Sequence, residues 1–150
     1  MDKVQNRKAV QHNDSFNIET IEIKKFIFEQ TSPLGQEPEI NINIEQSLGA
    51  VTQKNVIDGN IIVYSIRVDT DIHFKQEQKE IFYIDSSIFS VIKTNINFDE
   101  KLLNNVVAIM YSYLRPLVAQ MTTMAKLPPL DLPPANFENY EVKVIDSKKQ

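Results

Sequence analysis

The chain contains no cysteine. A disulfide framework and thiolate metal sites are therefore excluded, and the composition suits a reducing compartment. Glycine is almost as scarce. Gly35, Gly49 and Gly59 are the only three and lie far apart, so no glycine-rich phosphate loop can be assembled. There are two histidines, His12 and His73, and neither is spaced from a Ser, Asp or Glu as a catalytic triad requires. Basic residues do not predominate: 16 Lys and Arg face 20 Asp and Glu, a net charge of −4. That balance offers no basic patch for nucleic-acid phosphates and no polybasic membrane anchor. No apolar run approaches the roughly 18–20 residues of a membrane span. The N-terminal stretch MDKVQNRKAVQHNDS is polar and lacks the apolar centre of a secretory signal. These absences predict a cytosolic protein with no nucleic-acid partner, no stable membrane insertion, no metal and no cofactor.

What is present suits one domain. The chain has 150 residues, 42% hydrophobic and 24% charged, enough for an ordinary core. Residues 1–15 read as a polar, flexible arm, 16–140 as the folded domain, and 141–150 as a charged, fraying tail. In FNIETIEIKKFIF the alternation slips twice. Phe16 and Ile18 share one parity, Ile21 and Ile23 the other, and Phe26 and Phe28 the first again, so one or two bulges are expected. EININIE alternates cleanly, with Ile40, Ile42 and Ile44 on one side. SLGAVTQKN reads as irregular. Asp58-Gly59 is a hairpin signal, because a type I′ turn needs positive φ at both central residues. It opens the long strand NIIVYSIRVDTDIHF, and KEIFYIDSSIFSVIK follows as a fourth strand, with a bulge expected at Ser86-Ser87. The fold class is thus α+β: a four-stranded antiparallel sheet with a long helix and a short C-terminal helix packed on one side.

The long helix is expected to start at Asp99 as N-cap, or at Asn97 with Glu100 as a capping box. Leu103, Val106, Val107, Met110, Leu114, Leu117, Val118 and Met121 recur at three- and four-residue steps, and Leu102, Ile109, Tyr113 and Met124 widen the stripe. A helix this broadly apolar needs cover on more than one face. Val106, Met110, Tyr113, Leu114 and Leu117 are accordingly the expected subunit interface. Pro116 lies inside the helix, where its missing N–H predicts a kink. LPPLDLPPANF follows and holds four of the seven prolines. Proline forces its predecessor into extended backbone. The expectation is a stiff rail displaying Leu127, Leu130, Leu132 and Phe137 outside the main core as a binding surface; cover for the edge of the helix–sheet core is the other reading of these leucines.

Catalytic candidates are few. His73, Asp69 and Asp71 share the polar face of one strand and read as solvated alternating positions. Two carboxylates fall short of the roughly six oxygens a hard cation takes. No catalytic residue is assigned.

The order of elements and several segments resemble the SecB family of export chaperones. LPPLDLPPANF is similar to that family's helix-connecting loop, and FNIETIEIKKFIF to its first strand. Pro38-Glu39-Ile40, Ile88-Phe89 and Tyr113-Leu114-Arg115 are similar to the starts of its second strand, its fourth strand and its main helix. The resemblance implies a sheet with helices on one side, a homotetramer built as a dimer of dimers, and no catalysis. It implies a holdase that binds unfolded preproteins and other non-native clients and passes them to the SecA motor. It makes Phe26, Phe28, Ile40, Ile42, Ile44, Leu127, Leu130, Leu132 and Phe137 the client-binding residues and Glu29 a SecA contact. Lys25 stands where an acidic residue of the SecA-facing surface is expected, and the family's helix proline falls at Ser112 instead of Pro116. Some relatives chaperone toxin–antitoxin pairs, a second role that the resemblance leaves open. A small-molecule-binding or enzymatic α+β domain, with its pocket between helix and sheet, is the reading from another class.

Overall fold

In the computed structural model, the residues described are 16–35, 41–130, 132 and 142–146. Four long strands carry the fold: β1 (Phe16–Gln30), β2 (Ile42–Ile57), β3 (Ile61–Gln76) and β4 (Lys79–Asn95). A 3₁₀ turn (Glu100–Leu102) leads into helix α1 (Leu103–Met124), and a short β5 (Lys143–Asp146) comes last. The sheet order is β1-β4-β3-β2-β5. All pairings are antiparallel except β5 on β2, which is parallel.

The parity slips in β1 are resolved by two register shifts against β4, between Ile18 and Thr20 and between Ile23 and Lys25. Each shift absorbs one residue, Glu19 and then Lys24. Phe16, Ile18, Ile21, Ile23, Phe26 and Phe28 thereby oppose Thr94, Ile92, Ser90, Ile88, Ser86 and Ile84, all on one face. Without the bulges, a single slip would turn the later apolar residues to the opposite side. The bulge expected at Ser86-Ser87 is therefore corrected. β4 keeps its register with β3 through both serines, and the irregularity lies across from them in β1, at Lys24.

Asp58 and Gly59 both have positive φ, 54° and 72°. They sit in a connection closed by the Ile57–Ile61 pair, which makes the loop three residues long with Asn60. β3 and β4 are joined through Glu77 and Gln78, closed by the Gln76–Lys79 pair. Both turn residues are left-handed, at 53° and 67°.

β2 is longer than its sequence pattern suggests. SLGAVTQKN, expected to be irregular, is continuous strand to Ile57. Leu48, Ala50, Thr52 and Val56 keep the parity of Ile42 and Ile44. The two polar residues that break the apolar pattern find partners on the helical side. Gln46 Nε2 donates to the Tyr111 hydroxyl at 3.1 Å, and Lys54 Nζ lies 2.9 Å from Glu100 Oε2.

The core lies between one sheet face and α1. β3 contributes Ile62, Tyr64, Ile66, Val68 and Ile72, and β4 contributes Phe82, Ile84, Ile88 and Ile92. The cap expectation is corrected: Asp99 caps the 3₁₀ turn, its Oδ1 accepting from Lys101 N at 3.0 Å, while Leu102 stands at the N-cap of α1 with no side-chain cap bond. The Tyr64 hydroxyl donates to Glu100 Oε2 at 3.0 Å, which ties the start of the helical segment to β3. Burial, and then Glu100, pushes the Tyr64 hydroxyl above its ordinary pKa. α1 continues through Pro116 to Met124.

The tail expectation is corrected at residues 143–146. They pair with Val51–Lys54 as a fifth strand, because Val142 and Val144 find core to pack against. The arm at 1–15 and the region assigned to the short C-terminal helix, 133–141, lie outside the described residues.

Candidate functional site: an apolar surface at the β3–β4 hairpin end

The proline-rich segment begins where α1 stops. Ala125 N donates to Met121 O, Lys126 N to Thr123 O and Leu127 N to Thr122 O, each at 3.0 Å. Lys126 takes the left-handed conformation, φ 62°. These bonds form a Schellman C-cap, which satisfies the last carbonyls and turns the chain back. The returning strand is pinned to the helix it has just left. Thr122 Oγ1 accepts from Leu130 N at 2.9 Å, and Arg115 Nε donates to Leu132 O at 2.8 Å.

Those bonds point the leucines inward. Leu127 is 8% exposed, Leu130 7% and Leu132 1%, and all three belong to the core. The expected exposed rail is thus corrected within the single chain: the leucines close the edge of the helix–sheet core. Phe137 and Ile40 lie outside the described residues.

The same reasoning divides the residues assigned to a subunit interface. Val106, Met110 and Leu114 are wholly buried against the sheet, because four-residue steps keep them on one helix face. They are not available to another chain. Leu117 is half-buried on the flank. Tyr113, 51% exposed, lies on the outer face with Ile109 and Met124. This outer face, apart from Tyr113, did not enter the sequence assignment, since a broad stripe does not reveal which half meets the sheet.

Phe26 and Phe28 are half-buried on the helical side of β1. Phe28 packs on Phe82 with ring centroids 5.2 Å apart, and Phe82 stacks on Phe74 at 4.8 Å. Phe74 is the register partner of Ile44. The row Ile44–Phe74–Phe82–Phe28 therefore crosses the sheet from β2 to β1. It is most open at Ile44, which is 41% exposed, while Ile42 next to it is half-buried. Phe74 and Phe82 were not singled out from sequence; their signal was the shared parity of Phe74 with Ile72 and the hairpin that opposes Phe82 to it. Among the described strands, β2 pairs with β3 along its length and with β5 at Val51–Lys54.

The other face of the sheet carries charged side chains beside the exposed Ile27 and Phe89. Lys25 Nζ lies 2.6 Å from Asp85, and that hydrogen bond together with the Asp85 charge raises the Lys25 pKa. Asp85 stands directly opposite Asp71 in the β3–β4 register, so Lys25 relieves a like-charge pair. Glu29 accepts from the Tyr83 hydroxyl at 2.8 Å, which pushes that hydroxyl up. His73 pairs with Glu80 and stacks on Tyr83 at 6.1 Å. Among the described residues no three His, Cys, Asp or Glu side chains cluster as a metal site.

One sheet and one broad-striped helix define an α+β protein, and an apolar row on the sheet is open at Ile44. The chain belongs to the SecB family: the family model for preprotein translocase subunit SecB matches residues 9–144. The protein-export protein SecB of Nitrosomonas eutropha is 29% identical over 107 residues, covering 69% of this chain and 63% of the relative. The match thus spans under two thirds of that relative's length. A Mycobacterium tuberculosis SecB-like chaperone, solved with a ChAD peptide from an antitoxin, superposes with a TM-score of 0.62 at 13% identity, over 89% of this chain and 97% of that one. A Streptococcus agalactiae protein of unknown function gives 0.50 at 14% identity, over 79% and 97%. At these identities the structural likeness is one of fold. The α+β expectation holds, with a fifth strand added. Among the described residues, no helix is long and apolar enough to cross a membrane.

Proposed function

We propose that the protein is an ATP-independent, cytosolic holdase that binds non-native polypeptides, preproteins among them. The observation that carries this reading is the row Ile44–Phe74–Phe82–Phe28, open at the edge of β2 in a chain of the SecB family. Apolar side chains of a client can sit on Ile44 and Phe74. Phe26, Ile40, Ile42 and Phe137 extend the assignment. The three leucines are buried in the single chain and do not line its open surface. Shallow apolar contacts with few directional bonds admit unrelated sequences. No catalytic step is assigned, and the small-molecule reading gives way to this one.

Delivery to SecA is assigned to the sheet face turned away from α1, with Glu29 as the contact. A second reading is a chaperone dedicated to a toxin–antitoxin pair. The antitoxin peptide bound to the Mycobacterium tuberculosis neighbour favours it. The assembly proposed is a homotetramer, with Ile109, Tyr113, Leu117 and Met124 in the contact between subunits. Light scattering should then give about 69 kDa, four times 17.3 kDa, and a stable monomer at high micromolar concentration removes the tetramer. The decisive assay for the function is aggregation of a chemically unfolded client at micromolar protein. Suppression is expected; a folded sample that leaves aggregation unchanged overturns the holdase.

A further inference from the structure

The outer face of α1 carries a polar spot in the middle of its apolar side chains. Pro116 lies inside the helix and has no N–H, so the Ser112 carbonyl receives no bond from the residue four positions on. The proline ring crowds that carbonyl, and on the solvent side of a helix a carbonyl tilts outward. Ser112, Tyr113 and Pro116 are all exposed. The Ser112 hydroxyl is turned back and donates to the Ile109 carbonyl at 2.6 Å. Next to the acceptor stands a donor, the hydroxyl of Tyr113, a side chain 51% exposed on the same face.

In water both groups are hydrated. Covered by another chain they need each other, because a polar group buried without a partner is costly. We infer that the Ser112 carbonyl receives the Tyr113 hydroxyl of a second copy of this chain, and that this bond sets the register in which two α1 helices meet. A two-fold axis close to Ser112 brings each Tyr113 to the other copy's Ser112, so one arrangement makes the bond twice. A contact between identical surfaces needs donor and acceptor on the same face, and these neighbouring residues supply both. Ile109 and Met124, also exposed there, favour contact without choosing an alignment. A slip of one helical turn, about 5.4 Å, would bury both carbonyls and both hydroxyls unpaired. The pair thus acts on α1 as a buried asparagine acts in a coiled coil, fixing alignment at some cost in stability. It also gives a role to a proline in a helix interior, a position that disfavours it. The pairing presupposes the tetramer reading and adds to it a register.

A double-mutant cycle on the full-length chain tests the bond. Tyr113→Phe keeps the ring and its apolar area and removes the hydroxyl. Pro116→Ala returns an N–H to the Ser112 carbonyl and favours the helix. Neither change empties the core, since both side chains are exposed. Sedimentation equilibrium over a dilution series reads the dissociation constant between subunits. In the wild-type background Tyr113→Phe should raise it about tenfold, or about 1.4 kcal/mol. In the Pro116→Ala background the same change should raise it less than about twofold, because the two sites are coupled. Pro116→Ala alone should also weaken assembly. Equal rises in both backgrounds overturn the inference, since the tyrosine then acts through something other than this carbonyl. No rise in the wild-type background overturns it too, as does assembly unchanged or tightened by Pro116→Ala. A wild-type chain that stays monomeric at high micromolar concentration overturns the tetramer reading itself, and the inference with it.

Discussion

Arg115 Nε donates to the Leu132 carbonyl at 2.8 Å, joining the middle of α1 to a strand that has turned back along it. Two helical turns further on, Thr122 Oγ1 receives Leu130 N at 2.9 Å. Together they hold Leu130 and Leu132 in the folded core. Four prolines limit the conformations from which the segment is recruited, and two side chains of the preceding helix fix its register.

Leucine removal here should therefore cost stability. Leu132→Ala should lower the unfolding free energy by about 2–4 kcal/mol, the range for emptying a buried leucine site. Thr122→Val preserves shape but strands the buried Leu130 N–H, at about 1–3 kcal/mol. Urea denaturation reads both. An unchanged midpoint for Leu132→Ala would show that the segment is not core.

Lys126 occupies a left-handed C-cap position where a side chain is disfavoured, at φ 62°. Lys126→Gly should stabilise the protein by about 1 kcal/mol through relief of that strain. Thermal unfolding should show a higher midpoint. A lower one would mean that the lysine side chain contributes more than its backbone costs.

Ile44→Ser separates binding from folding. The side chain is 41% exposed, so little core is lost. Burying it under a client is worth roughly 1–2 kcal/mol, and removing it should weaken client affinity roughly tenfold, about 1.4 kcal/mol. Titration of an unfolded client against variant and wild type decides this. Unchanged affinity removes Ile44 from the surface.

Tyr64 predicts an alkaline limit to stability. Its hydroxyl holds its proton more tightly in the folded state than in the unfolded chain, where the ordinary value is about 10. Its contribution is complete below that pH. Above it, the unfolded state releases the proton first, and stability falls by up to about 1.4 kcal/mol per pH unit for this one group. Tyr64→Phe should flatten that part of the decline. Denaturation midpoints between pH 9 and about 11.5 would expose a slope that the variant leaves untouched, and so refute the assignment.

Much of the framework was legible where the determinants are local. The β1 bulges announce themselves as parity slips at Ile21 and again at Phe26. Asp58-Gly59 marks its turn, and Asp99 marks the start of the 3₁₀ turn that leads into α1. The rest depends on distant partners. The continuation of β2 was hidden because Gln46 and Lys54 interrupt the apolar pattern, and their partners, Tyr111 and Glu100, lie on the helical segment. β5 was hidden because Lys143 pairs with Val51, far back along the chain. Leucines spaced by prolines look alike whether they face water or core. Only the bonds to Arg115 and Thr122 show which way they turn.

The strand order carries a kinetic consequence. β2, β3 and β4 join through tight connections and form a meander from local contacts. β1 reaches the sheet through Phe16 with Thr94 and Gln30 with Phe82, pairings far apart along the chain that close long loops. Such closures are slow because their entropy is spent before contacts reward it. The strand made first is therefore placed last, after the meander offers it the β4 edge. Ile18→Val, a mild change in β1, should then speed unfolding and leave the folding rate alone. A slowed folding limb would instead put β1 in the nucleus. Until β1 arrives, the protein presents its own unpaired β4 edge and is itself, for that interval, a non-native chain.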